Sequence, residues 1–319
     1  MTKFDIFNGD ADGICALIQL RLAKPCDSEL VTGVKRDIQL LEKISAGEND
    51  EITILDISLD KNRKALESCL DEGARVIWFD HHYAGEIPTH KNLNAIIDTD
   101  TNICTSLLVN QYLNGQYRAW AVTAAFGDNL YESATHAAKE LNLSDKKLNT
   151  LKDLGTYINY NGYGSDINDL HFHPAKLYSL MAPYANPLEF IDNESITFEK
   201  LEFAFTDDLN KANNILPEYH SESHAVFILP DEPWARRVSG VYSNLLTQSH
   251  PDRAHAVLTI KPNNNYLVSI RAPLNNKTGA DDFARLFPTG GGRKAAAGIN
   301  DLPNSKLDIF LKIFKTHFK

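Results

Sequence analysis

The chain has 319 residues and a formal net charge of -10 at pH 7, enough length for two domains of ordinary size. That acidity argues against long duplex nucleic acid, which rewards a broad basic face, but not against a small phosphorylated ligand held by a few arginines. No apolar run nears the roughly 18 residues of a membrane span and no signal-peptide core follows Met1, so a cytoplasmic protein with no membrane partner is expected.

Phe4–Phe7 reads as a strand and Ile14–Leu22 as a helix. Ile52–Leu55 is a second apolar run, followed by a helical stretch over Lys61–Leu70, and Val76–Phe79 is a third. Strands alternating with helices of this length imply βαβ units and a parallel sheet, whose doubly covered strands require continuous apolar runs. From Thr105 to about Leu180 the pattern is helical, with Thr105 and Ser106 as N-caps and a loop over Asn159–Gly164. Pro183–Pro187 is a candidate boundary. A helix follows over Thr197–Leu209, then a strand at Ala225–Leu229, a helix at Arg237–Leu246, and a hairpin of Ala254–Ile260 with Tyr266–Ile270. This is a second α/β unit. The four cysteines, Cys15, Cys26, Cys69 and Cys104, lack paired spacing and read as free thiols.

Three predicted strands run into acidic residues. The first leads to Asn8-Gly9-Asp10-Ala11-Asp12-Gly13, the second to Asp56, the third to Asp80-His81-His82. In a parallel sheet all strand C-termini lie along one edge, where ligands bind. Singly, each Asp is an ordinary cap or loop residue. Together in one crevice they repel, and a bound cation, or two, keeps them ionised. Mixed carboxylate and imidazole donors suit Mn²⁺ better than Ca²⁺. In the second half, Gly290-Gly291-Gly292 permits close backbone approach to an anion. Arg293–Ala297 favours helix, which would set those amides at a helix N-terminus. Arg271, ending a predicted strand, can grip phosphate bidentately.

These residues resemble the DHH phosphoesterases, which include RecJ-type nucleases and nanoRNases. Asp80-His81-His82 looks like the signature that names the family, Asp10-Ala11-Asp12-Gly13 like its first motif and Asp56 like its second. Asp128, in Ala125-Phe126-Gly127-Asp128-Asn129, best matches the fourth. Val268–Arg271 and Gly290–Gly298 look like the DHHA1 domain, where an arginine and a glycine loop hold the substrate's phosphate. Two positions depart from the pattern. Many relatives have a metal-binding His where this chain has Ile6, and the His of the glycine loop is Arg293 here.

The resemblance implies an α/β fold with a parallel-sheet DHH domain over residues 1–186, a smaller α/β DHHA1 domain over 187–319, and an active site in the cleft between them. It implies two divalent ions, Mn²⁺ first with Mg²⁺ or Co²⁺ acceptable, on Asp10, Asp12, Asp56, His81 and Asp128, Asp56 bridging. Asp80 and His82 are the expected catalytic pair, His82 beside the bridging water or the leaving group. Asn8, Arg271, Gly290, Gly291, Gly292 and Arg293 are expected to bind substrate. The implied activity is hydrolysis of phosphodiester bonds in short single-stranded oligonucleotides or small nucleotides. Hydrolysis of a phosphomonoester or of a phosphoanhydride such as polyphosphate is the enzymatic alternative, and a non-catalytic metal- or nucleotide-binding sensor the other.

Overall fold

The apolar run at the N-terminus becomes an interior strand of a parallel sheet, and its neighbours follow the βαβ pattern. A computed structural model describes residues 1–318. The sheet strands are β1 (Lys3–Phe7), β2 (Glu29–Val31), β3 (Glu51–Leu55), β4 (Arg75–Asp80) and β5 (Leu93–Ile97), with α1 (Ala11–Ala23) and α2 (Leu59–Asp71) between them. Their order is β2-β1-β3-β4-β5, and every pairing is parallel. Strands β2 and β5 escaped the sequence reading because both are edges with no fully buried residue, so neither carries the apolar run of a doubly covered strand.

One sheet face buries Phe4, Ile6, Ile52, Ile54, Val76 and Trp78 against Leu66 and Leu70 of α2. The chain then continues through α3 (Thr105–Tyr112), α4 (Arg118–Gly127), α5 (Tyr131–Ala138), α6 (Asp145–Asn161), α7 (Pro174–Met181) and α8 (Pro187–Asn193). Helix α6 runs through Asn159 and Tyr160, which the sequence suggested as loop. Tyr160 is wholly buried there, and burial outweighs the Asn-Gly signal. Thr105 and Ser106 are the first residues of α3 rather than its caps, for a reason that lies in the site itself.

Compactness divides the chain at Phe203/Ala204, inside α9 (Ser195–Asn213), whereas Pro187 opens α8. The second unit contains β6 (Tyr219–His220), β7 (His224–Leu229), α10 (Pro233–Ser249), β8 (Ala254–Ile260), β9 (Tyr266–Arg271), α11 (Ala280–Ala284), β10 (Gly290–Arg293), β11 (Ala296–Leu302) and α12 (Leu307–His317). Its sheet order is β10-β11-β9-β8-β7-β6, antiparallel except for β7 with β8. Phe283, Phe310 and Phe314 pack one face, and Trp234, Val238 and Tyr242 the other. The helix expected over Arg293–Ala297 does not form. Those residues close a hairpin in which Arg293 pairs with Ala296, and Ala296–Ile299 also pair with β9. Two strand partners override the helical propensity of the Lys-Ala-Ala-Ala stretch.

A buried imidazole makes this second unit acid-sensitive. His255 on β8 is fully buried, and neither ring nitrogen has a hydrogen-bond partner. Burial, then the charges of Arg253 and His250, depress its pKa to about 4. The unfolded chain takes up this proton near 6.5, the folded one only near 4, so stability present above pH 6.5 is lost as pH falls through that window. We expect the wild type to lose about 3 kcal/mol more than His255→Leu between those limits. Urea melts of both proteins at pH 7 and pH 4.5 check this, and parallel losses would refute it.

Candidate metal centre

The strand order reverses direction at β1, since the chain runs outward to β2 and then crosses to β3 on the other side. Such a switch point opens a crevice beyond the strand C-termini. The sheet therefore delivers Asn8, Asp56 and Asp80 side by side at one edge, as the three apolar runs implied.

Asp10 does two things. Its Oδ1 caps α1, accepting the amides of Asp12 at 3.0 Å and Gly13 at 3.1 Å, and its Oδ2 takes a hydrogen bond from Lys35 Nζ at 2.5 Å. Asp12 reaches across to α3, accepting the amides of Thr105 and Ser106 at 2.7 Å each. A carboxylate from 93 residues away thus caps that helix, and its charge suits the positive end of the helix dipole. Asp56 follows β3 in a left-handed conformation, φ 59°, which Asp tolerates better than most residues and which is common at functional sites.

The histidine pair is oriented from behind. His81 Nδ1 donates to the Ile103 carbonyl at 3.0 Å. That leaves Nε2 facing Asp56 at 3.4 Å, Asp12 at 3.9 Å and Asp128 at 4.0 Å. His82 Nδ1 lies 2.7 Å from Oδ1 of the fully buried Asp80, and the His82 side chain is half-exposed. Asp128 follows α4 as its C-cap. Asp12, Asp56 and Asp128 thus lie around His81 Nε2, Asp10 lies beside them through Lys35, and Asp80 lies beneath His82.

The electrostatics call for a cation. Burial, then repulsion from Asp10 and Asp12, holds the Asp56 carboxyl well above its usual range. Asp128 is raised, chiefly by burial. Burial would push both imidazoles down, but hydrogen bonds to Asp56 and Asp80 with the surrounding carboxylate charges lift His81 to about 10 and His82 to about 9. A divalent ion would replace the His81 proton and relieve the carboxylates at once. Its donor set is present. Asp56, His81 and His82 each bring a ligating atom within 4.8 Å of the others. Asn8 Oδ1 and Asp80 Oδ2 are buried without a hydrogen-bond partner. Carboxylate, amide and imidazole donors fit a borderline divalent metal.

The sequence reading missed Lys35. It lies between β2 and β3 with no motif around it, and only the fold brings it against Asp10. In the second unit, Arg271 ends β9 with Nε donating to Asn244 Oδ1 at 2.7 Å and Nη1 to Ser269 Oγ at 3.1 Å. Its register partner Ala296 pairs in turn with Arg293. Packing explains two of the three glycines: a Cβ on Gly290 would lie 1.8 Å from the Ala284 oxygen, and on Gly292 2.5 Å from Ala297 Cα. Around Gly291 there is open space. Tyr157 and Tyr160 of α6 are buried and pack in the core.

Residues 6–137 match the family model for the DHH family, N-terminal domain. No curated protein matches the chain significantly. Three solved structures superpose over nearly all of it. A DHH-domain member of the s1p family of ribosomal proteins gives a TM-score of 0.69 at 13% identity, over 99% of this chain and 86% of its own. The exonuclease RecJ bound to manganese gives 0.63 at 15%, over 100% and 91%. A pGpG-specific phosphodiesterase, PggH from Vibrio cholerae, gives 0.53 at 14%, over 99% and 98%. At such identities the likeness is one of fold. No helix among the described residues is long and apolar enough to cross a membrane. The matched residues span every carboxylate and imidazole of the candidate metal centre, so it is over this stretch that the chain is similar to the DHH family.

Proposed function

We propose that the protein is a metal-dependent phosphoesterase that hydrolyses phosphodiester bonds in short oligonucleotides or small nucleotides. The observation that carries this reading is the pose of His81, whose Nδ1 is engaged by the Ile103 carbonyl while Nε2 faces three carboxylates. A backbone carbonyl on the far nitrogen fixes the tautomer that leaves Nε2 as a ligand. Asp12, Asp56 and His81 would hold the ion, with Asp10 and Asp128 beside them. Mn²⁺ is our first choice, Mg²⁺ or Co²⁺ the alternatives. When bound, the ion supplies Lewis acidity and a water acidic enough to give hydroxide near neutral pH.

The remaining work falls to the chain's own groups. Asp80 holds His82 at Nδ1 and leaves Nε2 able to hand a proton to the leaving oxygen. Lys35 places positive charge beside Asp10, and Asn8 Nδ2 donates to the Lys35 carbonyl. Arg271, Arg293 and the open backbone at Gly291 are the groups of the second unit that would bind phosphate. Among solved neighbours, RecJ is an exonuclease and PggH a pGpG-specific phosphodiesterase, which supports a phosphodiester substrate.

Substrate length tests the reading. With so compact a set of phosphate contacts on an acidic chain, kcat/KM should be highest for roughly two to five nucleotides, with a salt slope of about one to three. Arg271→Ala should raise KM and lower kcat together, because the phosphate contact exists in both ground and transition states. The measurement is kcat/KM against chain length at two salt concentrations in Mn²⁺, with excess chelator as the blank. A preference still rising beyond about ten nucleotides with a steep salt slope, or full turnover in chelator, would overturn it.

A further inference from the structure

Lys35 stands where two of the site's carboxylates converge. Its Nζ lies 2.5 Å from Asp10 Oδ2, 3.6 Å from Asp128 Oδ1 and 3.0 Å from Asn159 Oδ1. The residue is held from several sides. Its amide donates to the Gly162 carbonyl at 2.8 Å, its own carbonyl accepts from Asn8 Nδ2 at 3.4 Å, and its ammonium sits 5.5 Å from the Tyr163 ring centroid. Gly162 fits only because it lacks a Cβ, which would fall 2.8 Å from the Gly9 oxygen and 3.1 Å from Asp10 Cα.

The donors therefore divide into two sets. Asp56, His81 and His82 cluster within 4.8 Å, with Asp12 3.9 Å from His81 Nε2. Asp10 faces the ammonium instead, and Asp128 stands between the sets, with Oδ1 3.6 Å from Lys35 Nζ and Oδ2 4.0 Å from His81 Nε2. At Ile6, where many DHH relatives carry an imidazole, this chain has an aliphatic side chain wholly buried in the core, so no donor is offered from that position. Ammonium has three N–H donors and no acceptor, and here three acceptor oxygens surround it. An unpaired carboxylate in so buried a place is costly, and a fixed cation offsets that cost.

We propose that the centre takes a single divalent ion, on Asp12, Asp56 and His81, and that the Lys35 ammonium holds the place of a second cation between Asp10 and Asp128. This rests on the metal-dependent reading above but departs from the pair of ions that the family resemblance implies. It also makes Lys35 a positioning residue: it holds Asp10 and Asp128 in place without an exchangeable ion.

The test is Mn²⁺ titration of metal-stripped full-length protein by calorimetry, with electron paramagnetic resonance of the loaded samples. Wild type should bind one Mn²⁺ per chain and show an isolated-ion spectrum. Lys35→Met should bind two, with the exchange coupling expected of ions about 3.5–4 Å apart. Lys35→Arg, which keeps the charge, should remain at one. Two coupled ions on the wild type, a result that needs no variant, would overturn the proposal. So would a folded Lys35→Met that still binds one ion with unchanged affinity. The two readings fail separately. One ion on the wild type with no turnover of any phosphoester sinks the activity and leaves Lys35 its role, whereas a coupled pair with full turnover does the reverse.

Discussion

His81→Ala and Asp56→Asn should each lower phosphodiester turnover by about a thousandfold or more, because a bound water whose pKa drops from about 15.7 toward about 7 is lost with the ion. Both should also weaken Mn²⁺ binding. Their metal-free forms should behave differently. Asp56 is held well above the usual carboxylate range, by burial first and by Asp10 and Asp12 next. A buried acid with a raised folded pKa lowers stability once pH exceeds its unfolded value of about 3.9. Asp56→Asn should therefore raise the metal-free Tm at pH 7 while abolishing activity. His81→Ala gives no such gain, because it removes a cation from among three carboxylates. Calorimetry of metal-stripped proteins beside an Mn²⁺ assay separates the two. Near-normal turnover of either variant at saturating Mn²⁺ would show that its residue is no ligand.

Gly155→Ala is expected to destabilise the first unit by about 3 kcal/mol or more, at the top of the range for overpacking. In an unconstrained helix this change would stabilise by about 0.5–1 kcal/mol. Here a Cβ on Gly155 of α6 would sit 2.0 Å from the Thr123 carbonyl oxygen of α4. The clash is with backbone, so no rotamer relieves it and packing outweighs propensity. Gly127 on α4 is confined too: a Cβ there would lie 2.5 Å from Ala11 Cβ and 2.6 Å from the Gly155 oxygen. Ala11 follows Asp10 and Gly127 precedes Asp128, so this close packing also sets the spacing of two site carboxylates. The drop should be about 6–12 °C in Tm, with weaker Mn²⁺ binding in the fraction that folds. A Gly155→Ala variant at or above wild-type Tm would mean that α4 and α6 can separate at little cost.

Much of this protein is written in local patterns. The runs at Phe4–Phe7, Ile52–Leu55 and Val76–Phe79 are apolar throughout because strands buried on both faces must be, and that alone puts Asp10, Asp56 and Asp80 at one sheet edge. The adjacent histidines after β4 are conspicuous for the same reason. Other features depend on partners far away in the chain. Thr105 and Ser106 look like caps, but Asp12 supplies the capping oxygens from another helix. The stretch after Gly292 has helical propensity, but β9 pairs it as a strand. Lys35 has no motif, and only the packing of Gly162 against Gly9 and Asp10 brings its ammonium to the carboxylates. Sequence determines which side chains a strand end can present, since the period of the chain sets that. Which of them meet, and whether a lysine or a metal ion balances them, is decided when helices and loops distant in sequence pack into the same crevice.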